Sequence, residues 1–477
     1  MTAVTHAHAR SHAPKAPSPW LLMLPLGLAI ALLPPALTGQ LVVGLAAGAM
    51  VLARPRWALY FLAVTVPYQS LADFKFFGAS VSITEGVVAL LLIGWLTHVA
   101  GTRAAGRPAR SPWITPITPA VGVLLLALLL SVFVAEDLSR SAKELLKWME
   151  LAAVYVAGRS LLDTPGSRRV LLVWLIVAAV SQALVGLGQA VLQIGPSHFM
   201  IGGVLMRAYG TFEQPNPFGG YLGLTLPLIA ALVLFGLRPG WWRRLASAAL
   251  ALLVTAVVLT LSRGAWAGQT VALLLVLMAG SRAARHALLA LGAFAAILAI
   301  AAWPLLPAEF TVRFTSVVTS LAEFGTLHEA IVTPENWAVY ERLSQWYAGW
   351  QMFRDNWLLG VGIGNYNSAY DAYRLDQWPV ALGHAHNHYL TIAAEAGLLG
   401  LSAYLGFLAT VFRVGMHSLR RAQDRLGRAA AIGILGSLTG FATHNMFDVL
   451  FVHGMGVTVG LLLALLESVP RRLEDRE

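Results

Sequence analysis

This 477-residue chain encodes an all-α polytopic membrane protein of about 12–14 transmembrane helices, and three observations say so. Only 12% of its residues are charged against 57% hydrophobic, with a mean hydropathy of +0.69. Soluble domains usually carry about 25% charged residues, so half that fraction leaves too little polar surface to face water. The apolar residues arrive in blocks of roughly 17 to 25, the length needed to cross a bilayer core. The basic residues gather in alternate connections, the mark of a fixed orientation. A water-soluble enzyme is excluded.

Taken in order, residues 1–19 are small, polar and proline-containing, with His6, His8 and His12, and precede the first apolar block without a small-residue cleavage motif. A disordered cytoplasmic tail is expected there. Pro, Gly and Arg clusters then punctuate fourteen apolar segments: 20–33, 37–53, 57–70, 83–100, 117–134, 144–162, 169–194, 217–237, 243–261, 265–280, 286–304, 388–412, 429–446 and 449–467. The first and third are short enough to be re-entrant or interfacial. The organisation is thus a bundle over 20–304, a large loop over 305–387, C-terminal transmembrane helices over 388–467 and a tail over 468–477.

Placing the amino terminus in the cytoplasm puts Arg54/Arg56, Arg103/Arg107/Arg110, Arg168/Arg169, Arg238/Arg243/Arg244, Arg282/Arg285, the Arg413–Arg428 cluster and Arg471/Arg472/Arg476 on one side. That side holds 23 of the 33 basic residues and six of the 23 acids. The positive-inside rule therefore predicts both termini cytoplasmic. The net charge of +10 reports topology, and a nucleic-acid partner is not expected. The absence of cysteine excludes disulfides, thiolate metal sites and a cysteine nucleophile.

On this map the connection 305–387 lies outside and carries five of the fifteen tryptophans. Loops this long inside a compact helical protein are usually functional. Within it Trp337, Tyr340, Leu343, Tyr347 and Trp350 recur at three- and four-residue spacing, which predicts an amphipathic helix. It suits an interfacial helix anchored by tryptophan, and equally a lid whose rings stack on sugars.

Ionisable groups near hydrocarbon are costly unless they face a cavity or a partner. Arg207, in "RAYGTFEQPNPFGGYL", precedes a Gly-, Pro- and Asn-rich stretch that must be non-helical, and irregular backbone at that depth is tolerated when it lines a cavity. Arg263, in "LTLSRGAWAG", has no other charge within fifteen residues on either side. Guanidinium groups offer bidentate donors matched to phosphate oxygens. The plainer alternatives are snorkelling to headgroups or pairing with Glu213 or Glu395. Arg342, on the polar side of the amphipathic helix, is a third candidate or part of a solvated face.

In "GHAHNHYLTIAAEAGLLGL", His384, His386 and His388 alternate just before a long span. An extended segment would put all three on one face, where they could bind zinc; a first helical turn would make them diverge. With no partner cluster in view, no metal is expected, and a general base at the membrane surface fits better. A helix-capping histidine is the alternative. "THNMFDVLF", with His444, Asn445 and Asp448, is expected to be structural. "GVGIGNY" at Gly360–Tyr366 lacks the strand-to-helix context and the Lys of a nucleotide loop.

Four of these stretches, "RAYGTFEQPNPFGGYL", "LSRGAWAG", "RLSQWYAGWQMFRDNWLLGVGIGNY" and "HNHYLTIAAEAGLLGL", resemble in order the motifs of the O-antigen ligase and O-antigen polymerase superfamily of bacterial envelope glycosyltransferases. "HNMFD" is also similar. The resemblance runs roughly from Gln182 to Leu466. It implies a C-type glycosyltransferase-like fold with one large periplasmic loop containing amphipathic helices, acting on undecaprenyl-pyrophosphate-linked glycans at the outer face of the cytoplasmic membrane. His386 matches the family's loop histidine, which deprotonates the acceptor hydroxyl. Arg207 and Arg263 match the two arginines near the spans, and Arg342 the arginine opening the loop helix. Asn387, beside that histidine, and Asn216, in the first motif, are further candidate substrate-binding residues.

The expected reaction transfers a glycan from undecaprenyl pyrophosphate to a sugar hydroxyl of lipid A-core, with inversion and without a metal or other cofactor. The partners are the lipid-linked glycan, lipid A-core or another glycan acceptor, and membrane lipids. Two alternatives stand beside it: a polymerase joining lipid-linked repeats, and an anion transporter, since some relatives have been described as bicarbonate transporters. A scaffold in an export complex would leave the outer arginines and histidines without work.

Overall fold

The computed structural model describes residues 35–71, 73–76, 79–105, 115–201, 203–287, 290, 327 and 337–468. The expected tail 1–19, the span 20–33, nearly all of the span 286–304, the start of the large loop and the residues from 469 lie outside the described residues. In chain order the helices are α1 (Pro35–Ala53), α2 (Arg56–Thr65), α3 (Ile83–Ala104), α4 (Thr118–Ser131), α5 (Leu138–Leu161), α6 (Pro165–Leu192), α7 (Pro215–Gly223), α8 (Leu226–Ala231), α9 (Trp241–Leu259), α10 (Arg263–Gly280), α11 (Trp337–Asp355), α12 (Tyr366–Tyr373), α13 (His388–Arg421), α14 (Arg425–His444) and α15 (Met455–Ser468). Two short antiparallel hairpins interrupt them, β1 (Asp73–Phe76) with β2 (Ala79–Ser82), and β3 (Met200–Ile201) with β4 (Leu205–Met206).

The chain is an all-α polytopic membrane protein. Among the described residues, seven helical segments are long and apolar enough to cross a membrane: α3, α6, the compound segment Pro215–Gly236, α9, α10, α13 and α14. Three shorter apolar helices accompany them, at Gly44–Ala53, Thr118–Val134 and Met455–Ser468. α5 falls outside both groups because its first half carries Arg140, Lys143, Glu144, Lys147 and Glu150. Polar caps set the starts. Ser82 and Glu85 form a capping box on α3, Thr164 and Ser167 one on α6, and the Ser262 and Asp424 side chains accept from the first-turn amides of α10 and α14.

Contacts at helix ends sort the bundle into two poles. At one, Arg159 pairs with Glu467 at 2.7 Å, Arg56 faces Asp163 at 3.9 Å, and Arg425 Nε donates to the Phe235 carbonyl at 2.6 Å. At the other, the Ile363 amide donates to Ser131 Oγ at 3.1 Å and the His388 amide to the Asn445 carbonyl at 2.8 Å. Helices run back and forth between them, so Arg207, Arg263, His386 and Asp448 share the second pole.

The segment Pro215–Gly236 is the central pillar and is almost wholly buried inside the protein. Pro227 has no amide hydrogen to continue the ladder from α7, and Leu224 and Thr225 close tighter turns onto Tyr221 and Leu222 instead. Beside it α10 and α14 approach backbone to backbone: a Cβ on Gly268 would stand 2.6 Å from the Gly440 carbonyl oxygen, and one on Gly440 2.8 Å from that of Gly268. Small residues at such crossings let membrane helices touch closely. This crossing seats the first turn of α10 against the last turn of α14, with Gly264 on the His444 ring.

Candidate active site

The irregular backbone before the pillar forms as the sequence requires, and α6 holds it. Gln189 Oε1 accepts from the Tyr209 and Gly210 amides at 3.2 and 2.8 Å while its Nε2 donates to the Gly210 carbonyl at 2.7 Å. Gln182 Oε1 accepts from the Thr211 amide at 3.2 Å. Two glutamines facing a loop thus replace the helical partners its amides lack. The β3–β4 hairpin delivers Arg207, whose amide donates to the Phe199 carbonyl at 3.1 Å.

Half-buried Arg207 Nε donates to the Thr260 carbonyl at 2.8 Å, and its terminal nitrogen reaches Asn216 Oδ1 at 3.5 Å. Asn216 Nδ2 donates to Asp448 Oδ2 at 2.8 Å, and Asp448 Oδ1 lies 3.2 Å from His386 Nδ1. Arg207, Asn216, Asp448 and His386 therefore form one chain of polar contacts across three connections. Burial alone would lift the Asp448 pKa. Hydrogen bonds from His386 and the Val449 amide, with the nearby His386 and His384 rings, instead hold it well below the usual carboxylate range. An ionised Asp448 can only accept, so His386 Nδ1 carries the hydrogen and Nε2 is left as the basic atom.

Arg342, on α11, acts on Arg207: burial and then the Arg342 charge push the Arg207 pKa below the usual arginine value. No carboxylate pairs with either guanidinium among the described residues. Arg263 occupies the first position of α10, exposed, next to Gly264 and His444. Glu395, a potential arginine partner by sequence, instead accepts from the Tyr366 amide at 3.0 Å.

Asn387 is the N-cap of α13, its Oδ1 accepting from the Leu390 amide at 3.1 Å. That contact fixes the start of α13 directly after His386. Only His388 enters the helix, and it parts from the other two histidines. His388 is buried among Trp148, Tyr404 and Phe451. His384 and His386 stay on the loop with their rings 4.5 Å apart, and His384 Nδ1 accepts from the His386 amide at 3.1 Å. Burial, then His386, pushes the His384 pKa down to about 4. His386 itself sits at a φ of +50°, a conformation few non-glycine residues adopt and one that clusters at functional sites.

The carboxylate that the sequence did not supply is Asp448. One ligand atom each from His384, His386 and Asp448 lies within 4.8 Å of the others, so these three are the described residues able to hold a metal ion together. "HNMFD", expected to be structural, does carry structure, since the Asn445 carbonyl receives the His388 amide and its Oδ1 the Leu450 amide at 2.9 Å. It also places Asp448 in the site.

Fold and site together define a membrane-embedded protein with clustered cations beside a carboxylate-oriented imidazole. Residues 248–405 match the family model described as O-antigen ligase, and the match supports the O-antigen ligase superfamily for this chain. Members of that family are membrane glycosyltransferase-like enzymes, and the family implies lipid-linked glycan substrates. The matched segment contains Arg263, Arg342, His384 and His386; Arg207, Asn216 and Asp448 lie outside it and join the site by contact. No curated protein matches the chain.

Proposed function

We propose that the protein transfers a glycan from undecaprenyl pyrophosphate to a sugar hydroxyl of lipid A-core, inverting the anomeric carbon, without needing a metal, at the outer face of the bacterial inner membrane. The observation that carries this is the continuous contact chain Arg207–Asn216–Asp448–His386, with the Arg342 charge near enough to lower the Arg207 pKa. Two guanidinium groups near enough to feel each other's charge favour a multiply charged anion between them. A diphosphate leaving group supplies one. At the other end of the chain His386 Nε2 takes the acceptor hydroxyl proton as the oxygen bonds to the anomeric carbon. The bond from that carbon to the pyrophosphate oxygen breaks, and Arg207 and Arg342, with Arg263 at the rim, stabilise the departing charge. Attack from the face opposite the leaving group produces the inversion.

This site serves equally a donor whose acceptor is another lipid-linked repeat, in which case the protein is a polymerase. Purified protein given the lipid-linked glycan with either lipid A-core or a second lipid-linked repeat separates the two. Product only with lipid A-core, unchanged by chelator, is the expected result. Uptake of labelled bicarbonate into proteoliposomes with no glycan transfer would replace the proposal with transport. In this reading residues 1–19 and the carboxyl-terminal tail are cytoplasmic and the 305–387 loop is periplasmic.

A further inference from the structure

We propose that His384, His386 and Asp448 form an inhibitory site for a divalent transition metal of the zinc class, whose occupation switches off the base. The inhibitory half rests on the transferase reading; the binding half does not. Imidazole and carboxylate suit this class of ion, and one open position after three protein ligands is a common zinc arrangement. The His386 Nδ1 to Asp448 Oδ1 separation is 3.2 Å. Zinc bonds of about 2.0–2.1 Å at tetrahedral angles place neighbouring ligand atoms about 3.3 Å apart, so this edge of the polyhedron is already formed. The third ligand atom, from His384, is within 4.8 Å of both. The loop is held ready for it by the left-handed His386 backbone and by the His386 amide bonded to His384 Nδ1.

The consequence follows from the two ring nitrogens being distinct. In the metal-free site Asp448 keeps the hydrogen on Nδ1, and Nε2 has a lone pair for the hydroxyl proton. A metal bound at Nδ1 leaves the neutral ring its single hydrogen at Nε2. The nitrogen that accepted then donates, and no general base remains.

The test is calorimetric titration of untagged, detergent-purified full-length protein with zinc chloride, comparing wild type with His384→Asn and Asp448→Asn. Asn at 384 retains a hydrogen-bond acceptor near the Nδ1 position but not an imidazole. Wild type is expected to bind one equivalent, with affinity falling at least about tenfold in each variant, the range lost with even a supporting group of a metal site. Wild-type glycan transfer should fall with zinc over the same concentrations and return with chelator, and the residual transfer of His384→Asn should not respond to zinc. Binding unchanged in both variants, or no stoichiometric binding, overturns the site. Zinc-stimulated transfer overturns the inhibition. Saturable binding that depends on His384 and Asp448 in a protein with no transfer to any acceptor would sink the transferase reading and leave the site.

Discussion

Arg207 holds two relations at once, donating through Nε to the Thr260 carbonyl while its terminal nitrogens face Asn216 and the Arg342 charge. Lysine has no fork to do both, so Arg207→Lys should fail nearly as fully as Arg207→Ala. Loss of one preorganised charge donor costs about 10²- to 10³-fold in rate, measured as glycan transferred per enzyme in detergent. Wild-type rates in either variant would remove Arg207 from the chemistry. Asp448→Asn replaces a pure acceptor by a group that can donate to Nδ1, so the wrong tautomer fills; transfer should drop by about 10²- to 10⁴-fold, as when a triad carboxylate is lost, with the melting temperature little changed by comparison. His384 gives a pH prediction. Its folded pKa of about 4 lies below that of the unfolded chain, so below about pH 6.5 the unfolded state binds the extra proton and stability falls as pH drops towards 4. His384→Asn should flatten that part of the melting-temperature profile. Arg207, Arg263, Arg342 and His386 could be nominated from the sequence because ionisable groups beside apolar blocks are costly unless they face a cavity or a partner. Asp448 was not, since 62 residues separate it from His386 and only the packing of α13 on α14 brings them together.

Among the elements, α11 forms where the aromatic spacing predicts, but its buried face is different. Tyr340, Ser344, Ala348 and Met352 turn inward with Leu343 and Gln345, whereas Trp337 and Trp350 remain about half exposed. Small side chains at 348 and 349 admit Ala385 and Leu390, with a Cβ on Gly349 only 3.3 Å from that of Ala385. An aromatic count does not reveal this, because the stripe that packs is the one that fits. The glycines of "GVGIGNY" show the same limit. Gly360, Gly362 and Gly364 all have positive φ and lay a strap along α13, where Val361 and Gly362 amides donate to the Ala394 and Glu395 carbonyls at 2.9 Å each. The strap fits because α13 breaks at Gly397 (φ 63°, ψ −161°), freeing the Leu398 amide to donate to the Trp357 carbonyl at 2.7 Å. That backbone region is essentially restricted to glycine. A Cβ at Gly397 would meet the Leu358 carbonyl carbon and oxygen at 2.3 Å. Gly397→Ala should therefore cost more than the roughly 1–3 kcal/mol of the conformation alone, read as a lowered melting temperature and lost transfer. Gly406→Ala, on the same helix with nothing within 4 Å of its added carbon, should leave both intact.

At the scale of the whole molecule, the alternation of basic clusters with apolar blocks foretold two poles, and the pairs Arg159–Glu467 and Arg56–Asp163 lie at one while Arg207, His386 and Asp448 lie at the other. The transferase reading then demands that the second pole face away from the cytoplasm, because lipid-linked glycan and acceptor meet there. A chain without cysteine makes this a direct measurement. Ser197 is exposed in the connection leading to Arg207, and Ala105 is exposed after the last turn of α3 at the opposite pole. Neither side chain is part of the site. Each cysteine variant carries a single thiol, so a membrane-impermeant maleimide added to intact spheroplasts reports one pole alone. Ser197→Cys should label at once, and Ala105→Cys only after the membrane is opened. The reverse pattern would put the imidazole and guanidinium groups in the cytoplasm, where the positive-inside charge distribution and the proposed acceptor would both be on the wrong side.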